Sequence, residues 1–105
     1  MALKLNNLAT SRLAANIAAD ATVLTVTAGH GGRFPDLAEP DDWFPLALVN
    51  DLAETEFVRC IGRAGDVLTV ERAAEGSVAR AYSAGDVVEL RLTVAALTAL
   101  RDEAP

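Results

Sequence analysis

Apolar and polar positions along this chain change their spacing several times, and each change predicts a boundary. From Ala21 the run Thr22-Val23-Leu24-Thr25-Val26-Thr27 is rich in β-branched residues and stops at Gly29, which predicts a strand. Trp43 to Val49 reads as a second strand, with Pro45 expected at an edge or entry position. Glu56 to Ile61 and Val67 to Glu71 are two further strand-like runs, and the connection Gly62-Arg63-Ala64-Gly65-Asp66 makes them a hairpin. Val87 to Leu92 alternates cleanly: Val88, Leu90 and Leu92 share one face, and Val87, Glu89 and Arg91 the other. Thr93 then stands as N-cap of a helix from about Val94 to Asp102, with Val94, Leu97 and Leu100 on one face. Before the first strand, Leu8, Leu13 and Ile17 fit a helical stripe only in part. Thr10 or Ser11 would cap a short helix running to about Ala19; the competing reading is an extended arm that docks on a neighbouring subunit. Between strands, Ala73 to Ala84 is a long irregular excursion, and loops of that length commonly reach a neighbour.

The expected fold is mainly β: a small antiparallel β-barrel or sandwich of about five strands, with a short N-terminal helix or arm and a C-terminal helix. Residues 1–20 form the arm, 21–92 the β domain, and 93–105 the closing helix and tail. Val23-Leu24-Thr25-Val26 recurs as Val67-Leu68-Thr69-Val70, which reads as shared strand chemistry and not as a duplicated domain.

Composition narrows the function classes. The chain has 105 residues, one domain's worth, with 51% hydrophobic types but only 5% aromatics, and 21 of its residues are Ala. Such a core is thin and leans on neighbours of its own kind. Fifteen acidic residues against nine basic ones give a net charge of −6, which argues against nucleic acid and anionic membranes as partners. No stretch has the length of a signal-peptide core or a membrane span.

Candidate chemistry is sparse. Cys60 is the lone cysteine and sits in an alternating run, so it reads as a small buried hydrophobe. His30 is the lone imidazole, in the loop Gly29-His30-Gly31-Gly32-Arg33, and reads as a loop residue. That loop resembles a phosphate cradle, but Phe34-Pro35 opposes a helix there, leaving glycines that need positive φ. Asp36, Glu39, Asp41 and Asp42, or Asp51, Glu54 and Glu56, supply hard oxygen ligands without the spacing of a calcium loop. No nucleophile elbow or zinc motif is present, so no enzyme, cofactor or metal is expected.

An ordered set of motifs runs through nearly the whole chain, from Asn6 to Leu97. It comprises Asn6-Asn7-Leu8-Ala9-Thr10-Ser11, Gly32-Arg33-Phe34-Pro35, Asp42-Trp43-Phe44-Pro45-Leu46 and Glu56-Phe57-Val58. Gly65-Asp66-Val67-Leu68-Thr69-Val70-Glu71-Arg72, Glu75-Gly76-Ser77 and Ala79-Arg80-Ala81-Tyr82 leading to Gly85-Asp86 complete it. This order resembles small bacteriophage tail proteins. The resemblance implies a virion structural protein, made in the host bacterial cytoplasm and located in the tail, that acts without catalysis. Its implied partners are other tail or baseplate proteins and copies of itself, a trimer by preference. The chain stops at Pro105 with no fibre shaft, which favours a tail-fibre, tail-tip or baseplate adaptor over a receptor binder. Alternatives are a capsid decoration or cement protein, and a carbohydrate-binding host-recognition module using Trp43 and Tyr82. The candidate interface residues are Trp43, Phe44, Arg80, Tyr82, Leu97 and Leu100.

Overall fold

A computed structural model describes residues 2–4, 9–93 and 96–98. In chain order its elements are β1 (Ala2–Leu3), β2 (Thr10–Arg12), β3 (Val23–Thr25), a 3-10 turn (Gly31–Arg33), β4 (Asp42–Val49), β5 (Thr55–Ala64), β6 (Val67–Ala74) and β7 (Val87–Leu90). The molecule is mainly β: six antiparallel strands form one sheet curled into a half-barrel, in the order β2-β7-β4-β5-β6-β3. β1 lies parallel to the start of β4, pairing Leu3 with Trp43. The two end strands meet. Leu13 bridges Val26, the Ala14 amide donates to the Thr25 carbonyl at 2.9 Å, and the Thr27 amide donates to the Arg12 carbonyl at 2.9 Å. The sheet thereby joins its own edges, which removes much of the unpaired backbone that edge strands expose.

The N-terminal segment is extended, not helical. Ala9, Ser11 and Leu13 are buried while Thr10, Arg12 and Ala14 are exposed, a period of two in which a serine occupies an inward position. Its docking partner is this chain's own β7, with Ser11 opposite Val88. The expected strands all form, with shifted ends. β5 and β6 run to a two-residue turn, Gly65-Asp66, tighter than the five-residue connection the sequence suggested. Gly65 takes φ 61 at the first central position, where hairpins favour glycine. The repeated tetrapeptides turn out to be strand partners: Leu24 pairs with Leu68 across β3 and β6, and both are buried.

Pro45 lies within β4, flanked by β5 and β7, and not at an edge. Its missing donor falls where β1 has ended and the β7 ladder has not begun, since β1 covers Asp42–Trp43 and β7 covers Leu46–Val49. Its carbonyl still accepts the Arg91 amide at 3.3 Å.

Among the described residues, fourteen buried ones make the main core, centred on the stacked rings of Phe34 and Phe44, 5.8 Å apart. Leu92 leaves the expected inward face, because β7 ends at Leu90, and is 45% exposed. Thr93 caps as expected: its hydroxyl accepts the Ala96 amide at 3.1 Å. Of the helix expected from Val94 to Asp102, 96–98 are helical, and 94, 95 and 99–102 lie outside the described residues. Among the described residues no helix is long and apolar enough to cross a membrane.

Cys60 faces the core and is fully buried. Burial pushes its thiol up to about 12, outweighing a lowering by a backbone hydrogen bond at Gly62. A thiol reagent is therefore expected to label native protein at least about a hundredfold more slowly than urea-unfolded chain. Equal rates in the two states would contradict this placement.

Candidate functional site

Inward alternation on the β5–β6 hairpin carries Glu56 on the row of Val58 and Cys60, and Arg72 on the row of Leu68 and Val70. The two charges therefore enter the interior together. Glu56 is fully buried, and Arg72 bonds it through Nε and Nη2, both at 2.9 Å. A bulge opposite Phe57–Arg59 puts Ala73 at φ 54, and its amide donates to Glu56 Oε2 at 2.9 Å. The Arg80 amide donates to Oε1 at 3.0 Å. Arg72 also donates to the carbonyls of Ala18 and Ala21 through Nη1, and to that of Arg80 through Nη2. One ion pair thus ties β5, β6, the 18–21 segment and the 73–84 excursion into a single body. Burial alone would raise the Glu56 carboxyl, but Arg72, the two amides and the Arg72 charge outweigh it and hold it below the usual carboxylate range.

The excursion is held at further points. Ser77 Oγ accepts the Phe57 amide at 3.0 Å, Tyr82 forms a β-bridge with Ile17, and Asp86 accepts the Ser83 amide at 2.8 Å. At its outer side Arg80 meets Glu54 at 3.0 Å, joining the excursion to the 50–54 turn. Asn50 organises that turn by accepting the amides of Leu52 and Glu54. Each of these two joined loops projects an apolar side chain into water: Leu52 is 76% exposed and Val78 62%.

No family model matches this chain, and no curated protein matches it at a significant level.

The candidate interface residues separate into two groups. Trp43, Phe44 and Tyr82 are buried, which corrects their expected place on a contact surface and leaves no ring face for a sugar. Trp43 packs between Leu3, Ala96 and the guanidinium of Arg59, which lies 4.0 Å from its ring centroid. Phe44 completes the stacked pair with Phe34. Burial raises the Tyr82 hydroxyl, and the charge of Glu56 adds to the effect. Arg80 is part-exposed, Leu97 is 51% exposed, and Leu100 lies outside the described residues. Arg80 differs from the expected free contact residue, since its backbone belongs to the Glu56 network and its side chain to Glu54.

The carboxylates weighed as calcium ligands do not converge. Asp36 pairs with Arg63, Asp42 caps the Glu39 amide beside Lys4, Glu54 pairs with Arg80, and Glu56 with Arg72. Among the described residues no group of three or more His, Cys, Asp or Glu side chains comes together. The glycine loop does cradle an anion, and the anion is the chain's own. Asp66 accepts the amides of Gly29 at 3.0 Å and of Gly31 at 2.8 Å. Of the three loop glycines only Gly29 has positive φ, at 83°.

The sequence reading missed Arg72. A usable signal existed: extending the alternation of Leu68 and Val70 by one step places Arg72 inward, opposite an equally inward Glu56. Two opposite charges on inward rows of one hairpin point to a buried pair.

Proposed function

We propose that the chain is a structural module of a bacteriophage tail, an adaptor of a fibre, tail tip or baseplate that works by docking and self-association without catalysis. The observation that carries the reading is where the tail-protein-like motifs fall. Glu56, Arg72, Ser77, Arg80 and Asp86 belong to them, and all five fix the 73–84 excursion to the barrel. An excursion held this firmly presents Val78, and the 50–54 turn joined to it through Arg80 and Glu54 presents Leu52, with little freedom left to lose on contact. Rigid apolar anchors bind without the ordering cost that weakens flexible loops. The joined end strands favour docking through such side chains over strand addition.

Immunogold labelling of intact particles tests the location. Label on the tail is expected; label on the capsid would replace the adaptor with a decoration protein, and unlabelled particles would remove both. Sedimentation velocity tests the surface. Leu52→Asp with Val78→Asp is expected to weaken assembly at least about tenfold, as loss of one hot-spot contact does. Unfolding should stay within about 0.5 kcal/mol, since both side chains are exposed. Unchanged assembly would exclude these two loops.

A further inference from the structure

One cleft on the outer face of the sheet combines an excess of acid with a donor that has no acceptor. It has a volume of about 360 Å³ and lies over β4, β5 and β6, where the turn at Pro40 and Asp41 stands beside Arg59, Ile61 and Glu71. Among the described residues its lining carries three carboxylates, Asp41, Asp42 and Glu71, against the one cation Arg59. Trp43 lines it too; the residue is only 4% exposed, and its Nε1–H has no hydrogen-bond partner. We propose that this cleft receives a basic residue of a partner protein. Its side-chain cation meets Asp41 and Glu71, and its main-chain carbonyl accepts the Trp43 indole N–H.

Strand alternation builds the cleft. Phe44, Cys60 and Val70 are buried in the core, so their neighbours Trp43, Arg59 and Glu71 stand on the outer face of the same three strands. The Arg59 guanidinium lies over the Trp43 ring, 4.0 Å from its centroid. The indole therefore offers an occupant its N–H and not a stacking face. Arg59 Nε is 3.8 Å from Glu71 Oε1, longer than a hydrogen bond, and the Glu71 side chain is 58% exposed. Its carboxylate thus keeps acceptor sites. Asp41 is exposed as well. Asp42 is engaged elsewhere, since it accepts the Glu39 amide and lies 4.0 Å from Lys4.

Charge selects a cation, because an anion would meet three carboxylates and one guanidinium. Among the described residues no three metal-ligating side chains come together, so the cation that fits is organic. The indole N–H needs an acceptor, which a simple amine or polyamine lacks and a peptide carbonyl supplies. Ile61, 41% exposed, and Pro40 give the aliphatic stem of a lysine an apolar wall. A covered N–H left unpaired is unfavourable, so the carbonyl repairs a defect already present in the free protein. Trp43 lies at the start of β4 and the 50–54 turn follows its end. The cleft is therefore a contact separate from Leu52 and Val78, and it holds for any partner that presents such a residue.

Trp43 is the chain's single tryptophan, so its emission and its indole N–H resonance report on this cleft alone. The test titrates the full chain, at constant ionic strength, with a blocked pentapeptide that has a central lysine among glycines. Peptides with norleucine or glutamate at the centre, and n-butylamine, form separate arms. The lysine peptide is expected to move both Trp43 signals saturably. Asp41→Asn should weaken its binding about threefold, and Asp41→Asn with Glu71→Gln about tenfold. Unchanged urea midpoints check that both variants fold, and Asp41→Asn decides alone if Glu71→Gln disturbs Arg59. Four results would each overturn the proposal: signals that do not saturate, equal binding of the norleucine or glutamate peptide, n-butylamine matching the lysine peptide, or unweakened binding in both variants. An indole resonance that shifts with protein concentration alone would place a second copy of this chain in the cleft, and that also overturns a foreign partner.

Discussion

Replacing Glu56 with Gln is expected to destabilise the fold by about 3–5 kcal/mol, the usual consequence of leaving one buried charge without its partner. Glu56 is fully buried, and the Arg72 side chain is only 8% exposed, so the orphaned guanidinium has no water to turn to. The amides of Ala73 and Arg80 would compete for one neutral oxygen in place of a carboxylate. A domain of this size holds roughly 5–15 kcal/mol in total, so a large share of its stability would go. The midpoint of thermal unfolding should fall by at least about 12 °C, at ~4 °C for each kcal/mol. Arg72→Ala should behave alike, and it also strands the carbonyls of Ala18, Ala21 and Arg80. The double variant Glu56→Leu with Arg72→Met should be less damaged than either single change, because it buries no unpaired charge. Additive losses in that cycle would refute the account of the pair as one coupled unit.

The same pair sets a pH dependence with a definite sign. The folded-state Glu56 carboxyl is held below its ordinary range, so its contribution is complete above the unfolded value of about 4.3. That contribution is lost as the pH falls through the lower folded value. Urea midpoints should therefore decline below about pH 4 in the native protein, and this part of the decline should be missing in Glu56→Gln. An identical acid limb in both proteins would assign the loss to other carboxylates.

Legibility in the sequence followed how far a residue's type agreed with its position. Val88 in β7, the β5–β6 hairpin and the Thr93 cap are apolar, turn and cap residues at apolar, turn and cap positions, and all are readable. Ser11 conceals a strand and Pro45 suggests a false edge because each is an uncommon residue at its site: a serine facing the core, and a proline where a ladder changes partner. Glu56 and Arg72 conceal themselves because a charge on an inward row reads as the end of a strand until its counterpart is found. Trp43 and Tyr82 were misplaced for a different reason. Aromatic rings beside polar loops suit an interface and a core equally well, and only the packing of Leu3, Ala96 and Ile17 against them decides.

Gly31 supplies the second large effect, and it arises from backbone proximity alone. A Cβ at Gly31 would lie 1.9 Å from the carbonyl oxygen of Gly65, 2.5 Å from its carbon and 2.9 Å from the Asp66 Cα. All three are backbone atoms of the β5–β6 turn, so no side chain can swing aside. Gly31→Ala must displace either the 3-10 turn or the hairpin, and it breaks the Asp66 contacts to Gly29 and Gly31 that join them. Overpacking of this kind costs about 1–3 kcal/mol and occasionally more; a clash with rigid backbone belongs at the upper end. Gly32 is the internal control. A Cβ there meets nothing within 4 Å and the residue has no positive φ, so Gly32→Ala should be neutral or stabilising by up to about 1 kcal/mol. Urea unfolding of the two variants separates close packing from loop flexibility as the reason for glycine in this segment. Equal effects at both positions would mean that the loop needs conformational freedom and not contact. A wide gap would make Gly31 the point through which the 27–33 loop, and with it His30 and Arg33, is set against the barrel.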